Sequence, residues 1–399
     1  MLAFRPDSVR GIPIADGLPG TPWAGAGTFT GTPARSLADA ACSSWSAGAC
    51  SRVLLGAVDG RYHPNVVDRA LLTWLLDSDP SLRWQVERDL AGRPEDVWLA
   101  TRTRVAVEGH GAQLLARQDE DGQWAGGAYF PADATPAEPG QPWTATTWSL
   151  NALREWGVEA AALRPDTAGL LERNARWEYD DLRYWGGEVD ACINGYTLAN
   201  GAWLGADVSA IADWFVEHRL ADGGWNCLWV EGAQRSSFHS TLNSLVGILD
   251  HEVRTGGSSA LREARHHGEE YLLRRSLMRR LSTGEVHAPW ATHFAYPYRW
   301  FYSVLRAADY FRTAALYDGR RPDDRLAEAV ELIGSARDAN GTWHQQLRHE
   351  GRTWFDVDSG PGEASRWLTF QALRVLEWWD AGLPFHRAAG REDSPWRFQ

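Results

Sequence analysis

Three copies of one short turn constrain the fold of this 399-residue chain more than any other feature. In each copy an Asp, a glycine and a tryptophan follow a helical segment, at 118–124, 222–225 and 338–343. A degenerate copy is expected at 185–187. Glycine favours the left-handed conformation that ends a helix, and Asp or Asn closes the turn by bonding nearby main chain. The spacing fits a unit of about 50 residues, skipped once, and predicts helix pairs that curve into a closed ring.

From residue 66 onward, apolar residues recur at helical spacing, whereas strand patterns are nearly absent. Helices are predicted at 66–76, 81–90, 94–117, 143–156, 163–177, 191–204, 207–219, 237–252, 258–280, 297–313, 323–337 and 363–380. The sequence therefore predicts an all-α domain at 63–385. A loosely ordered arm rich in Gly, Pro, Ala and Ser is expected at 1–62, and a tail at 386–399.

The charge of the chain excludes some partners. A formal net charge of −12 and an isoelectric point near 5.5 disfavour nucleic acid and anionic membranes, since both require a basic surface. No apolar run is long enough for an integral membrane segment. The first residues lack the pattern of an export signal, so a cytoplasmic location is expected. A small-molecule substrate is the expected partner, with the oligomeric state left open.

The repeated turns resemble those of the squalene-cyclase and protein-prenyltransferase superfamily. The runs ADGGWNC at 221–227, RSSFHSTLNSLVGIL at 235–249 and GEASRWLTFQALRVL at 362–376 also resemble small bacterial proteins described as squalene-cyclase-like. The resemblance covers roughly residues 66–380 and implies the (α/α) toroid fold of that superfamily. It also implies an enzyme of the terpene cyclase or prenyltransferase type, although the same fold carries different activities.

The resemblance further implies a zinc site. Asp190 and Cys192 are similar to the Asp-x-Cys ligands of prenyltransferase β subunits, and His239 lies in a run similar to their aromatic-His-Thr ligand segment. Cys192 and His239 each belong to an apolar stripe of a predicted helix, so both are expected to face inward. Cys227 is an alternative third or fourth ligand. The competing interpretation is an N-cap for Asp190, small buried thiols and a hydrogen-bonded core histidine.

The chain departs from the prenyltransferase pattern at the basic residues that bind the diphosphate group of the substrate. Those enzymes place basic residues six and three positions before the Asp, where this chain has Tyr184 and Gly187. Arg183, Arg299 and Arg306 are possible replacements. A second hypothesis is therefore a metal-free acid-catalysed cyclase, and a third is a toroid that binds a ligand without catalysis.

An acid-catalysed reaction needs a carboxyl group with a raised pKa. Asp356 and Asp358 are the candidates, although a polar loop before the last helix is the simpler interpretation. His293 and Tyr302 are further candidates for proton transfer. The chain has 23 tryptophans, and those outside the core suit the wall of an aromatic cavity. The predicted substrate-pocket residues are Tyr196, Trp225, Tyr298, Arg299 and Trp300.

Overall fold

Thirteen α-helices, together with short 3-10 segments, make up about half of residues 68–382, which are the residues described by this computed structural model. The predicted arm at 1–62 and tail at 386–399 lie outside the described residues. The helices are α1 (Arg69–Leu76), α2 (Pro80–Asp89), α3 (Glu95–Arg104), α4 (Gly109–Leu115), α5 (Thr146–Glu155), α6 (Thr167–Asn174), α7 (Ala191–Leu204), α8 (Ser209–Glu217), α9 (Phe238–Thr255), α10 (Ser259–Leu273), α11 (Val304–Asp318), α12 (Ala327–Ser335) and α13 (Arg366–Ala381). The prediction of a mostly helical chain is confirmed.

Strands are confined to one short antiparallel pair within the described region. Strand β1 (Trp343–His344) pairs with β2 (Ala364–Ser365), so that Trp343 lies opposite Ser365. The pair joins the third repeated turn to the start of α13. No helix of the described region is both long enough and apolar enough to cross a bilayer.

Six helices contact one another in a continuous series. Helix α5 packs on α7, α7 on α9, α9 on α11, α11 on α13, and α13 on α2. The contact between α7 and α9 is especially close, because Gly195 and Gly247 bring the two main chains together. A Cβ atom at either glycine would overlap main-chain atoms of the other helix. Helix α10 packs against α9, and helix α12 packs against α11 and α13.

The repeated turn has the same hydrogen bonds in all three copies. The indole N–H groups of Trp124, Trp225 and Trp343 each donate to a main-chain carbonyl ten residues earlier, at 2.9, 3.0 and 2.7 Å. All three tryptophans are fully buried. In each turn the glycine two residues before the tryptophan has a positive φ. The preceding helices end six or more residues before these glycines, so the glycines shape the turns rather than ending the helices.

The second half of each turn is fixed by a threonine. The main-chain N–H groups of the three tryptophans donate to the hydroxyls of Thr146, Thr241 and Thr369, at 3.1, 3.2 and 3.0 Å. These threonines lie in the first turns of α5, α9 and α13. Each copy therefore connects the end of one helix with the beginning of a later one. The degenerate copy differs, since the indole of Trp185 bonds to Ala168, seventeen residues earlier.

One predicted helix, 94–117, is divided into α3 and α4. The carboxyl group of Asp79 explains the break, because it accepts N–H bonds from Ser81 in α2 and from His110 in α4, both at 2.9 Å. Gly109 has φ +64° and packs against this carboxyl group, where a Cβ atom would not fit. Asp79 thus holds the first turns of two helices together.

The predicted helix at 297–313 begins later than expected. The side chain of Ser303 caps α11 by accepting the N–H of Arg306 at 3.2 Å. The aromatic run at 293–302 therefore forms an extended segment before the helix, and not its first turns. This segment crosses the space between α7, α9 and α13, where it contributes to the site described next.

Candidate functional site

A cavity of about 340 Å³ is lined by residues from α2, α5, α7, α9, α11 and α13, the six helices that pack in series. Its volume falls in the range of small-molecule sites. Eleven of its lining residues are aromatic, a composition that favours an apolar or aromatic ligand. They are Trp84, Trp143, Trp148, Trp156, Tyr196, Tyr296, Tyr298, Tyr310, Trp354, Phe355 and Trp367.

Eight arginines also line this cavity, and five of them form ion pairs with carboxylates. The paired arginines are Arg88, Arg102, Arg154, Arg312 and Arg374. Arg299 and Arg306 form no ion pair with a carboxylate of the described region. The guanidinium of Arg299 lies 5.2 Å from the ring centre of Trp143, and that of Arg306 lies 5.6 Å from the ring centre of Tyr298. Neither cation has an ion-pair partner in the described region, although the carboxylate of Glu155 interacts with the charges of both.

The environment of Arg299 is unfavourable for a cation. Its backbone is left-handed, with φ +54°, which is uncommon outside glycine. Removal of water from its guanidinium lowers the pKa of Arg299 to about 10. Loss of hydration, with the positive charges of Arg299 and Arg306 adding to it, also lowers the pKa of His349 to about 3. This part of the cavity therefore has a positive potential that an anionic group would relieve.

Glu155, at the last turn of α5, is the carboxyl group of the cavity without an ion pair in the described region. The other two acids that line it, Asp250 and Asp309, are paired with Arg154 and Arg374. The side chain of Glu155 is exposed to the cavity, and the protein atoms around it take the place of part of its water. This desolvation raises the pKa of Glu155, although a hydrogen bond with Tyr296 and nearby arginines oppose the shift. Such a carboxyl group is suited to carry and transfer a proton.

Three of the five predicted pocket residues line the cavity. Tyr298 donates its hydroxyl to Oε1 of Gln371 at 2.6 Å, and Tyr196 and Arg299 are the other two. Trp225 lies in the core as part of the second repeated turn. Trp300 stacks on Phe301 and donates to Gln141, and neither Trp225 nor Trp300 lines the cavity.

The two cysteine side chains of the predicted metal site are in contact. The sulfur atoms of Cys192 and Cys227 are 3.4 Å apart, and both residues are buried. Nδ2 of Asn243 donates to the sulfur of Cys192, and the hydroxyl of Ser240 to that of Cys227, both at 3.3 Å. The hydrogen bond from the Cys227 thiol lowers the pKa of Cys192, and the pKa of Cys227 is raised for the same reason.

His239 does not join these thiols. Its Nδ1 accepts the main-chain N–H of Tyr302 at 2.9 Å, and the ring also bonds to the main chain of Trp300. Burial, together with the charge of Arg306, lowers the pKa of His239 to about 3, so the ring is neutral. His239 is therefore the hydrogen-bonded core histidine of the competing interpretation.

The predicted zinc ligands are Asp190, Cys192, Cys227 and His239, and zinc binding by them stays a prediction that the arrangement of their side chains does not support. Within residues 68–382, no three of these side chains bring their ligand atoms within 4.8 Å of one another. Asp190 lies at the N-cap position of α7, and its main-chain N–H donates to Glu188 at 2.6 Å. Zinc requires three or four converging ligands, so these residues do not fit the metal as they are arranged.

A different group of the described residues has the spacing of metal ligands. It consists of His266, Glu269 and Asp318. Its carboxylates are already paired with arginines. Nη1 of Arg265 bonds Glu269 at 2.7 Å and Nη2 bonds Asp318 at 2.8 Å, while Arg320 bonds both acids. Two guanidinium groups in place would repel a cation. The geometry could hold a metal ion, but the charges favour an ion-pair network.

The two predicted proton donors outside the loop at 356–358 lie away from the cavity. His293 is exposed on the surface and is not part of the lining. Tyr302 is buried, and its hydroxyl donates to the main-chain oxygen of Leu277 at 2.5 Å. Tyr302 is not part of the cavity lining, and its predicted part in proton transfer stays a prediction.

Asp356 and Asp358 line a second cavity of about 370 Å³. Asp356 is exposed and paired with Arg348 at 2.6 Å. Burial raises the pKa of Asp358, which hydrogen-bonds to Ser365. Four lining groups of this cavity have buried polar atoms without a hydrogen-bond partner in the described region: Ser78, His110, Ser359 and Arg366. The second cavity therefore favours water or a polar group over an apolar molecule.

Glu155 was not among the residues predicted from the sequence, and Arg306 was predicted only as a possible replacement for a diphosphate ligand. Glu155 follows Arg154 at the end of an amphipathic helix, a position typical of solvated ion pairs. The chain matches no protein-family model and no curated protein.

Proposed function

We propose that this protein is an enzyme with an (α/α) toroid fold that acts on a small molecule in the 340 Å³ cavity. The molecule has an apolar or aromatic body and one anionic group. The observation that carries this proposal is the combination of an aromatic wall with Arg299 and Arg306, neither of which has a paired carboxylate in the described region.

The toroid is supported by the order of the helix contacts. The series from α5 through α7, α9, α11 and α13 reaches α2, near the beginning of the described chain. The three repeated turns, each connecting a helix end with a later helix start, are consistent with this arrangement. All six helices of the series contribute to one cavity, as expected for the centre of a ring of helices.

Glu155 has the role of proton donor in this proposal. The positive charge of Arg306 lowers the pKa of Glu155, although desolvation has the larger effect. An anionic group bound to Arg306 would neutralise that charge, and the pKa of Glu155 would rise further. Binding would thereby favour the protonated carboxyl group beside the substrate. Aromatic faces would then stabilise positive charge that develops on the substrate.

The resemblance to squalene cyclases and prenyltransferases suggests an isoprenoid or aryl substrate, and a cyclisation or group transfer. We do not assign a step to zinc, since three ligand atoms of the predicted site do not converge. The alternative acid is Asp358 of the second cavity, which is favoured by its raised pKa. The polar lining of that cavity fits an apolar substrate less well.

A matched pair of probes tests the anion requirement. Calorimetric titration would compare 2-naphthoate with 2-naphthalenemethanol, which has the same apolar body and no charge. We expect wild-type protein to bind naphthoate about 10-fold more tightly or better, since hydrogen bonds to charged groups contribute about 1.5–3 kcal/mol. The double substitution Arg299→Met and Arg306→Met should remove this preference. Arg183→Met, at a residue whose side chain is 75% exposed, is the control. Equal binding of both probes by wild-type protein would contradict the proposal.

Turnover separates the enzyme from a ligand-binding protein. Isoprenoid alcohols and their phosphate and diphosphate esters would be incubated with the protein and followed by mass spectrometry. We expect product from an anionic member, with Glu155→Gln retaining binding and losing at least 100-fold in rate, as is usual for general acids. A rate that depends on Asp358 and not on Glu155 would favour the second cavity. Binding without product from any member would favour the non-catalytic alternative.

A further inference from the structure

The thiols of Cys192 and Cys227 lie close enough to react with each other. Their sulfur atoms, 3.4 Å apart, come from two elements separated by 35 residues in the chain. Cys192 is the second residue of α7, and Cys227 begins a short 3-10 segment, Cys227–Glu231. No acid or histidine of the described chain completes a three-ligand group with them. The sulfurs therefore face each other as a dithiol.

We infer that Cys192 and Cys227 are a site of reversible oxidation, at which a hydroperoxide converts the two thiols into an intrachain disulfide. A disulfide requires about 2.05 Å between sulfurs, so the pair must close by about 1.4 Å. The short segment that begins at Cys227 can move by this amount more easily than the first turns of the 14-residue helix α7. The inference does not depend on the proposed function.

The surrounding hydrogen bonds assign the two sulfurs different parts in the reaction. Cys192 accepts bonds from Asn243 and from the Cys227 thiol, and it lies in the first turn of α7, where a thiolate is favoured. With hydrogen peroxide as the oxidant, its sulfur attacks one peroxide oxygen, the O–O bond breaks, and a sulfenic acid and one molecule of water form. The Cys227 sulfur then attacks the Cys192 sulfur, its proton leaves with the hydroxyl group as a second water, and the disulfide is complete. Two electrons pass from the thiols to the peroxide.

Burial limits which oxidants can reach the pair. Cys192 is 7% exposed and Cys227 is 5% exposed. A folded oxidoreductase could not approach these sulfurs, whereas hydrogen peroxide is nearly as small as water. The expected oxidant is therefore a small hydroperoxide, and the expected reductant is a small thiol.

Oxidation of Cys192 and Cys227 would also affect the wall of the 340 Å³ cavity. Asn243 bonds Cys192 through Nδ2 and accepts the hydroxyl of Tyr196 through Oδ1. Tyr196 lines the 340 Å³ cavity. A disulfide sulfur is a weaker hydrogen-bond acceptor than a thiolate, so oxidation would weaken the bond that Cys192 accepts from Asn243, the residue that also bonds the cavity wall.

Mass spectrometry of peptides tests the inference on the full chain. The protein would carry Cys42→Ser and Cys50→Ser, which leave Cys192 and Cys227 as its two cysteines. Reduced protein would be treated with stoichiometric hydrogen peroxide, alkylated and digested. We expect a peptide pair joined through Cys192 and Cys227, lighter than the reduced pair by two hydrogen atoms, and its loss after dithiothreitol. Cys227→Ser should instead leave a sulfenic acid at Cys192 that reacts with dimedone.

Three results would overturn the inference. The pair could remain reduced under peroxide, it could oxidise only to sulfinic or sulfonic acids, or the purified protein could hold one zinc ion that is lost on substitution of Cys192. The wild-type chain provides the same peptide measurement, so the test does not require the substituted proteins to fold. A disulfide that forms and reverses in the wild-type chain supports the inference.

Discussion

The hydroxyl of Tyr196 donates a hydrogen bond to Oδ1 of Asn243 at 2.9 Å, across the close contact between α7 and α9. Asn243 also donates to the sulfur of Cys192 and to the main-chain oxygen of Trp300, at 3.3 and 2.8 Å. One buried amide thus connects the cavity wall, the thiol pair and the aromatic segment before α11.

Asn243→Ala should destabilise the protein. The substitution leaves the hydroxyl of Tyr196 and the carbonyl of Trp300 with one partner fewer in a buried place, and we expect a loss of about 1–3 kcal/mol in the free energy of unfolding. Urea unfolding followed by circular dichroism would measure it. Asn174→Ala, at an exposed residue, is the control and should change stability by less than about 0.5 kcal/mol. Equal effects of the two substitutions would show that the hydrogen bonds of Asn243 do not contribute to stability.

The threonines of the repeated turns should make similar contributions to the free energy of unfolding. Thr241→Val keeps the shape of the side chain and leaves the buried N–H of Trp225 unpaired, so we expect a cost of about 1–3 kcal/mol. Thr369→Val, in the third copy, should have a comparable effect for the same reason. Thr73→Val, at an exposed helical residue, should be nearly neutral. A neutral result at Thr241 in urea unfolding would show that its hydroxyl does not support the turn.

Glu155 should make stability fall as the pH rises. Its folded-state pKa is raised, so the folded protein holds more protons than the unfolded chain between the two pKa values. The free energy of unfolding then decreases with pH from about 4 upward, and levels off above the folded pKa. Glu155→Gln removes this dependence and should become more stable relative to wild type over the same range.

Glu108 is the matched control for this pH effect. Its hydrogen bond with Arg104 lowers the pKa of Glu108, so its contribution has the opposite sign. Glu108→Gln should lose stability relative to wild type as the pH rises through the same range. Urea unfolding at a series of pH values measures both substitutions. Parallel pH curves for wild type and Glu155→Gln would exclude a raised pKa.

Arg265 should be essential for folding stability. It is fully buried and bonds Glu252, Glu269 and Asp318, so Arg265→Met would leave three acids without their main partner. We expect a loss of about 3–5 kcal/mol, as for other buried pairs broken on one side. Thermal and urea unfolding would measure it.

The control for Arg265 is an exposed arginine with two acidic partners. Arg325 pairs with Glu270 and Asp323 on the surface, and Arg325→Met should cost about 0–1 kcal/mol.

Added metal ions test whether the cluster of His266, Glu269 and Asp318 is a metal site. Zinc or magnesium that stabilises wild-type protein and fails to stabilise Glu269→Gln would contradict the ion-pair interpretation.

Much of the local structure was accessible from the sequence. The glycine and Asp of each turn act on their own neighbours, so the copies at 124, 225 and 343 could be recognised without coordinates. The bounds of α7 agree with the predicted 191–204. The break at Gly109 could not be recognised, because it depends on Asp79, which lies thirty residues earlier and belongs to another helix.

The candidate site was accessible only in part. Helical spacing placed Cys192 and His239 on inward faces, and both are buried. Spacing cannot say how far apart two inward side chains lie, and His239 is committed to the main chain of Tyr302. Tyr196, Tyr298 and Arg299 do line a cavity, and their contact with a substrate stays a prediction.

By itself the sequence determined the helices, their turns and the predominance of aromatic residues, because these follow from interactions between residues near one another in the chain. The tertiary structure decided which charges meet. Glu155, Arg299 and Arg306 come from distant segments, and ion pairs elsewhere in the cavity neutralise most of the remaining arginines. Whether an ionisable group is paired or desolvated depends on neighbours from the whole fold, and that is why its chemistry could not be read from local sequence.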